Sequence, residues 1–419
     1  MLGTKAFLMT SVVLIVFTST LIPVVLLQVH ARSSSVIFVE PGQSIAQAVN
    51  NAQDGDRLVI KSGFFNESMV LVNKSLSIVG ESSENTIVDG GGTAQVIFQV
   101  VANDVLIQNL TLQNTDLAPF IFTAASAVTI FNATGVVIRN VSVQNASVGV
   151  LLRSSNLSRI LSCSISGTVS YGMYFRERSC NNVVVDSTIR NNSVGIGFAD
   201  MTSQWNKLYH NNFQNNTQED VRSFGGVNYL DDGYPSGGNY WDDYESVDLK
   251  YGVNQDQNGS DGILDQGFSS DNYPLANPLT SVNIEVAGQE FIVEVSSNFE
   301  ITSWGINVSE KSLRFFVTRP QGMVSEARVN IPKGMLSCES LDAWNVSYVD
   351  GDVQILQYLG MEDALVTYLH FTSVSTEPGE IRIVGTKVLP EFGPWTMMLL
   401  FFLLTAVIGI LLKRRSGKS

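Results

Sequence analysis

The chain has 419 residues, 44% of them hydrophobic and only 15% charged, with a formal net charge of −14 at neutral pH. That length allows two or three domains with sizeable cores, and the acidic balance argues against a nucleic-acid partner. Cys163, Cys180 and Cys338 are odd in number, so at least one thiol is free or pairs between chains.

Lys5 precedes an apolar run from Ala6 to Val29 that ends Val29-His30-Ala31. Residues 1–31 therefore read as a signal peptide or, if uncleaved, an N-terminal anchor. After Ser33-Ser34-Ser35, Val36-Ile37-Phe38-Val39 reads as a first strand. Ser44 is placed to cap a short helix over 45–52, which would cover the open end of a solenoid. Asp54-Gly55-Asp56 then turns the chain into Leu58-Val59-Ile60.

From residue 69 onward a repeat sets in. Asn109, Asn140, Ser162, Asp186 and His210 are spaced by 31, 22, 24 and 24 residues. Two residues before each stands Ile107, Ile138, Ile160, Val184 or Leu208, and three after stands Leu112, Val143, Ile165, Ile189 or Phe213. Gly149, Gly172 and Gly195 mark a second register. Such a period signals a solenoid, whose units need their neighbours to bury an apolar side. Around Asn140 the apolar–polar alternation changes phase, which would flip every later side chain. A left-handed bend at Asn140 restores a common interior, and Asn tolerates that backbone. Cys163 falls in the inward column of Leu110 and Val141, so a small buried residue is expected there.

The coils fade after Phe213, and the chain turns acidic, aromatic and glycine-rich to about residue 280. Residues 281–387 then alternate at close spacing without the coil period. A hairpin across Gly288-Gln289 and strands near 312–318, 326–331, 344–349, 352–358, 364–371 and 380–385 suggest a β-sandwich. A linker at 388–394 leads to an apolar stretch of spanning length at 395–412, and Lys413, Arg414, Arg415 and Lys418 follow it. Residues 413–419 would then be a cytoplasmic basic tail, leaving the body of the protein outside the cell.

The opening helix, Gly63-Phe64-Phe65-Asn66-Glu67, Asn73-Lys74-Ser75-Leu76-Ser77-Ile78-Val79-Gly80 and Ile87-Val88-Asp89-Gly90 resemble the start of NosD-type right-handed β-helix proteins. These belong to the carbohydrate-binding and sugar-hydrolase β-helix superfamily. Gly238-Asn239-Tyr240-Trp241-Asp242-Asp243-Tyr244, Asp271-Asn272-Tyr273-Pro274-Leu275 and the tail Pro390-Glu391-Phe392 resemble segments of archaeal surface members. The resemblance spans residues 36–280. It implies an all-β chain: a right-handed, pectate-lyase-like parallel β-helix, a small β-sandwich and a C-terminal transmembrane helix. It fixes the fold more firmly than the activity.

Candidate chemistry falls in three places. Arg153, Tyr174, Arg176, Glu177 and Asp200 cluster near the glycine register, where Tyr suits sugar stacking and Arg suits uronate carboxylates. Gln144 and Arg190 belong to an outward strip of hydroxyls and amides that includes Ser142, Ser164, Thr188 and Asn212. Asn254, Asp256, Asn258 and Asp265 match the spacing of a twelve-residue calcium loop, with Gly259 at its sixth position. Asn at position 1 and Asp at position 12 imply weak affinity, and an ion-free polar turn fits the same residues equally. Ser162, Asp186 and His210 stack in one column but do not make a relay triad, since the imidazole would have to lie between the other two. An Asp186–His210 contact is expected to be structural. Copper, which the NosD name suggests, is unsupported, because the chain has only His30, His210 and His370 and no cluster of soft ligands. The sequence thus describes a cell-surface protein that binds a polysaccharide or envelope glycan without catalysis. A polysaccharide lyase or epimerase, and a structural or adhesive component, are the alternatives. Sequons such as Asn66, Asn73, Asn132 and Asn307 add a glycoprotein character at some sites.

Overall fold

The computed structural model describes residues 34–117, 125–318, 325–373 and 378–388. The expected leader, membrane span and basic tail lie outside them, as does the linker except for Val388, which pairs with Leu336 in a short strand. Among the described residues no helix is long and apolar enough to cross a membrane.

Residues 36–241 wind into a parallel β-helix of about eight coils with three parallel sheets of eight, eight and seven strands. The first face runs from Val36–Val39 to Lys207–Tyr209, the second from Gly63–Asn66 to Tyr240–Trp241, and the third from Val70–Val72 to Glu219–Ser223. The five expected bend positions separate the first face from the second. Asn109, Asn140, Ser162, Asp186 and His210 all have φ between 49° and 57°. A second left-handed column, Asn114, Asn145, Gly167, Asn191 and Asn215, closes the second face. Asn side chains suit both columns because one coil's amide donates to the next: Asn140 Nδ2 to Asn109 Oδ1 at 2.9 Å, and Asn145 Nδ2 to Asn114 Oδ1 at 2.7 Å.

Inward columns are apolar early and polar late. Leu110, Val141 and Cys163 are buried, and Ser187, Asn211 and Asn239 continue their column as a ladder. Each side-chain oxygen there accepts the backbone N–H of the coil before it, at 3.0–3.1 Å. The late coils therefore stay satisfied although their bends carry buried amides. The glycine register is steric: a Cβ on Gly172 would stand 2.6 Å from the Gly195 carbonyl oxygen.

The expected cap forms. Helix Ile45–Asn51 begins at Ser44, whose hydroxyl accepts from Gln47 N at 3.2 Å, and it buries Ile45 and Val49. At the other end Asp271 joins the two surface-protein-like segments. Its buried carboxylate accepts from Asn239 N, Trp241 Nε1 and Tyr273 N at 2.8–3.0 Å.

Beyond residue 278 the chain forms two five-stranded antiparallel sheets around one apolar core that includes Val293, Ile331, Phe315 and Ile383. The expected hairpin is present as Leu279–Val286 against Gln289–Ser297. Glu300–Asn307 is a further strand that the sequence reading passed over. Solenoid and antiparallel sheets belong to one compact unit that begins at Ser35. They meet where Asn212 exchanges hydrogen bonds with Leu279, at 2.7 and 2.8 Å. The buried Arg328 guanidinium also reaches back to the carbonyls of Asp261, Pro235 and Ser236.

Candidate functional site

The residues singled out by sequence fall on different faces. Arg153 and Arg176 are register partners on the third face, and both pair with Glu177, Arg176 Nη2 at 2.9 Å from Oε1. The hydrogen bond from Arg153, with the charges of both guanidinium groups, holds the Glu177 carboxyl below its ordinary range. Asp200 accepts the Glu177 N–H at 3.0 Å. These charges are directed largely at one another. Tyr174 is only 8% exposed, with its ring stacked on Tyr171 at 4.3 Å. Both rings lie over Gly197, whose missing side chain makes the room.

Gln144 and Arg190 stand exposed in one column of the second face, with Ser166 between them. Farther along, the hydroxyl strip is covered: Asn212 is the docking point for Leu279, and Ser164 and Thr188 face Leu279 and Ser281 across a narrow gap. In the acidic segment, Asn254 and Asp256 occupy the turn of a small hairpin and Asn258 pairs with Lys250. Asp265 Oδ1 accepts the backbone N–H groups of Leu249 and Lys250, each at 3.0 Å.

A recess on the first face was not read from the sequence. One cleft of about 580 Å³ is lined by Trp205, Tyr229, Lys207, Asn181 and Asp232. Trp205 and Tyr229 are each 50% exposed. Trp205 occupies a left-handed turn column with Asp104, Gly135, Leu157 and Asn181, at φ 59°. This conformation is costly for a bulky residue. That column was the available signal, because a tryptophan is an unexpected occupant of a turn that suits Gly or Asn. Lys207 pairs with Asp232 and lies over the Tyr209 ring at 5.3 Å.

Asp232 also borders a second cleft of about 510 Å³, where the first face meets the antiparallel region. Leu161, Val185 and Tyr209 form its solenoid wall, Arg139 and Arg159 stand on that side, and Leu365 and Tyr368 face them. Arg139 lies 4.0 Å from Glu290, whereas Arg159 is exposed and holds no ion pair among the described residues.

Asp186, His210 and Glu294 also line this cleft, with one donor atom from each within 4.8 Å of the others. Asp186 and His210 thus belong to a trio completed across the junction, with no direct hydrogen bond between the two. His210 Nε2 donates to the Ser236 carbonyl at 3.0 Å, and Nδ1 faces Glu294 Oε1 at 3.0 Å. Asn330 Nδ2 donates to the other Glu294 oxygen at 2.8 Å. Burial, reinforced by the Glu294 charge, raises the Asp186 carboxyl well above its usual range. Burial acts in the same sense on Glu294, but the facing imidazole and the hydrogen bonds from His210, Asp186 and Asn330 outweigh it and depress its pKa. Glu294 in turn raises that of His210 against the opposing effect of burial.

Residues 49–246, just under half of the chain, match the family described as periplasmic copper-binding protein (NosD). The matched residues make up most of the parallel β-helix. Among solved structures, the catalytic domain of an alpha-1,3-glucanase in complex with nigerose aligns over 48% of this chain at 16% identity and a TM-score of 0.42. The chain spans only 38% of that domain. A pectin methylesterase from Erwinia chrysanthemi aligns over 47% of this chain and 82% of its own, at 16% identity and TM-score 0.29. An alginate lyase from a Paenibacillus species aligns over 51% and 89%, at 15% and 0.32. No curated protein matches the chain.

The family description implies copper, so the donors decide whether it fits. Cu(I) selects thiolates and thioethers, and imidazole suits Cu(II). Cys163 is buried, its thiol pushed up to about 12 by desolvation. Buried His370 stands against Arg328, and desolvation followed by that charge lowers its pKa to about 4. Among the described residues, each group of three or more His, Cys, Asp or Glu side chains holds at most one imidazole and no thiol. The donors present do not fit a soft copper site.

Proposed function

We propose that the protein is a membrane-anchored surface β-helix that binds a glycan or envelope polymer along its first face without catalysis. The observation that carries this reading is the exposed Trp205–Tyr229 pair beside Lys207 and Asp232, continuous through Asp232 with the cleft that holds Arg139 and Arg159. Aromatic faces stack on sugar rings, and an unpaired guanidinium suits a uronate or other acidic substituent. The Arg153–Arg176–Glu177 patch and the exposed Gln144 and Arg190 serve in this scheme as outlying contacts. The antiparallel sheets act as a β-sandwich stalk, and residues 395–412 hold the protein in the membrane. The acidic loop takes calcium weakly through Asn254, Asp256, Asn258 and Asp265; a calcium titration that Asp256→Ala leaves unchanged removes that element.

A lyase or epimerase is the second reading, favoured by the Asp186–Glu294 carboxyl pair in the cleft. Hydrolysis of the usual two-carboxylate kind fits less well, since such pairs stand at least ~5 Å apart and these donor atoms lie within 4.8 Å. A screen of the purified full-length protein against polysaccharides separates the readings. Saturable retention, lowered at least about tenfold in Trp205→Ala and without unsaturated products by ultraviolet absorbance, supports binding. Product formation replaces it with the enzyme, and retention undisturbed in Trp205→Ala refutes the site.

A further inference from the structure

We infer that Asp186, His210 and Glu294 form a site for one borderline divalent cation of the zinc or manganese class, at the junction of the solenoid and the antiparallel sheets. The trio lines the cleft that adjoins the Trp205–Tyr229 pair, but the inference rests on other atoms than the aromatic pair that carries the glycan reading. His210 Nε2 is committed to the Ser236 carbonyl. Without an ion Nδ1 shares a proton with Glu294; a metal that displaced this proton would meet the Nδ1 lone pair of a ring already held in place. Fixing one ring nitrogen on a backbone carbonyl is how proteins orient a ligating imidazole. Asn330 does the same for the carboxylate by donating to Glu294 Oε2 at 2.8 Å, leaving Oε1 turned toward His210.

The separations suit a shared ion. Donors about 2.1 Å from a tetrahedral metal stand about 3.4 Å from each other. Here His210 Nδ1 and Glu294 Oε1 are 3.0 Å apart and all three donor atoms fall within 4.8 Å. An independent sign is Asp186 Oδ1, a buried oxygen with no hydrogen-bond partner. Such an orphan is costly, and a cation satisfies it. Once the metal has displaced the protons of Asp186 and His210 Nδ1, two carboxylates and a neutral imidazole carry a charge of −2, which one divalent ion balances. One nitrogen and two oxygens form a borderline-to-hard set, unlike the thiolates and thioethers that select Cu(I). The 510 Å³ cleft beside the trio leaves room for a fourth, non-protein ligand.

Because Asp186 and His210 belong to the solenoid and Glu294 to the antiparallel region, the ion would join the two. The test uses the full-length protein stripped with chelator and titrated separately with ZnCl2 and MnCl2 by calorimetry and equilibrium dialysis. About one ion of at least one metal should bind per chain and raise Tm. Glu294→Gln and Asp186→Asn, which keep side-chain size, should each weaken binding at least about tenfold. Their circular dichroism, matched to the parent, checks that they fold. Trp205→Ala and Asp256→Ala should bind the ion as the parent does, which separates this site from the glycan cleft and the acidic loop. Absence of saturable binding by the parent, or undiminished binding by both carboxamide variants, overturns the inference.

Discussion

Arg328 is the side chain whose loss should reveal how the solenoid and the antiparallel sheets are joined. It is 1% exposed, donates through Nη1 to the Asp261 carbonyl at 2.6 Å and through Nη2 to Pro235, and lies 4.8 Å from the centre of the Tyr368 ring. Replacement by Met keeps much of the volume and removes the charge and both donors. Hydrogen bonds from a charged group contribute about 1.5–3 kcal/mol each, and the cation–ring contact adds up to about 2. Against these stands the cost of burying the guanidinium, which lowers its pKa and is recovered on substitution. Asp261, fully buried and partly compensated by Arg328, is left without its countercharge. Arg328 bonds the Asp261 backbone and not its carboxylate, so the loss is set by the two donor bonds and the ring contact less the recovered desolvation, about 3–5 kcal/mol. Arg328→Met should therefore lose about 3–5 kcal/mol in urea unfolding, followed by circular dichroism and by tryptophan fluorescence. Fluorescence from variants that keep only Trp241, in the solenoid, or only Trp344, in the antiparallel core, should then give separate transitions. A loss below about 1 kcal/mol with coincident transitions would refute the idea that this guanidinium is the main tie.

Gly172→Ala places a methyl 2.6 Å from the Gly195 carbonyl oxygen, a backbone atom that cannot swing aside. It should cost at least about 1–3 kcal/mol by the same melt, whereas Gly91→Ala meets open space and tests only the left-handed backbone at φ 64°. Burial, with the charges of Asp243 and Asp242 adding to it, raises the carboxyl of Asp220 to about 7. A raised folded pKa gives stability that is complete below the unfolded value near ~4 and is lost as pH rises through about 7. The parent should thus lose up to about 4 kcal/mol of this component between pH 4 and 8, and Asp220→Asn should lack it. Equal pH slopes for parent and variant in thermal melts would contradict the assignment.

The solenoid was legible because its bends restrict residue type. Five left-handed positions with a common spacing must be filled by Asn, Asp, Ser or His, and the columns beside them must be apolar to close the core. Asn140 carries that information alone: its φ of 49° and the phase change around it are one fact seen twice. Cys163 was legible for the same reason, one position inward of a bend. Outward residues carry no such constraint. Tyr174 points away from the core by alternation, yet Gly197 on the next coil lets its ring lie flat beneath Tyr171, so an outward position became a buried one. The hydroxyl strip failed as a free surface at Asn212 because Leu279, 67 residues later, docks on it.

The clefts were hidden for two physical reasons. Trp205 sits in a turn column, where periodicity says only that the backbone is left-handed and nothing about what the side chain does. An exposed tryptophan in that column is informative only once its strain and its neighbour Tyr229 are seen together. Glu294 stands 84 residues from His210 and belongs to a strand whose own alternation makes it an ordinary outward acid. Its meaning arises from docking, since the solenoid supplies an imidazole held from behind by Ser236 and the antiparallel sheet supplies the carboxylate that meets it. A column rule describes what one coil requires of the next and is silent about a second region laid against the outside. Chemistry in a solenoid of this kind is therefore to be sought where a coil's bend residue is covered by a later segment. Asp186 and His210 are the two bend residues for which that covering supplies a third charged partner.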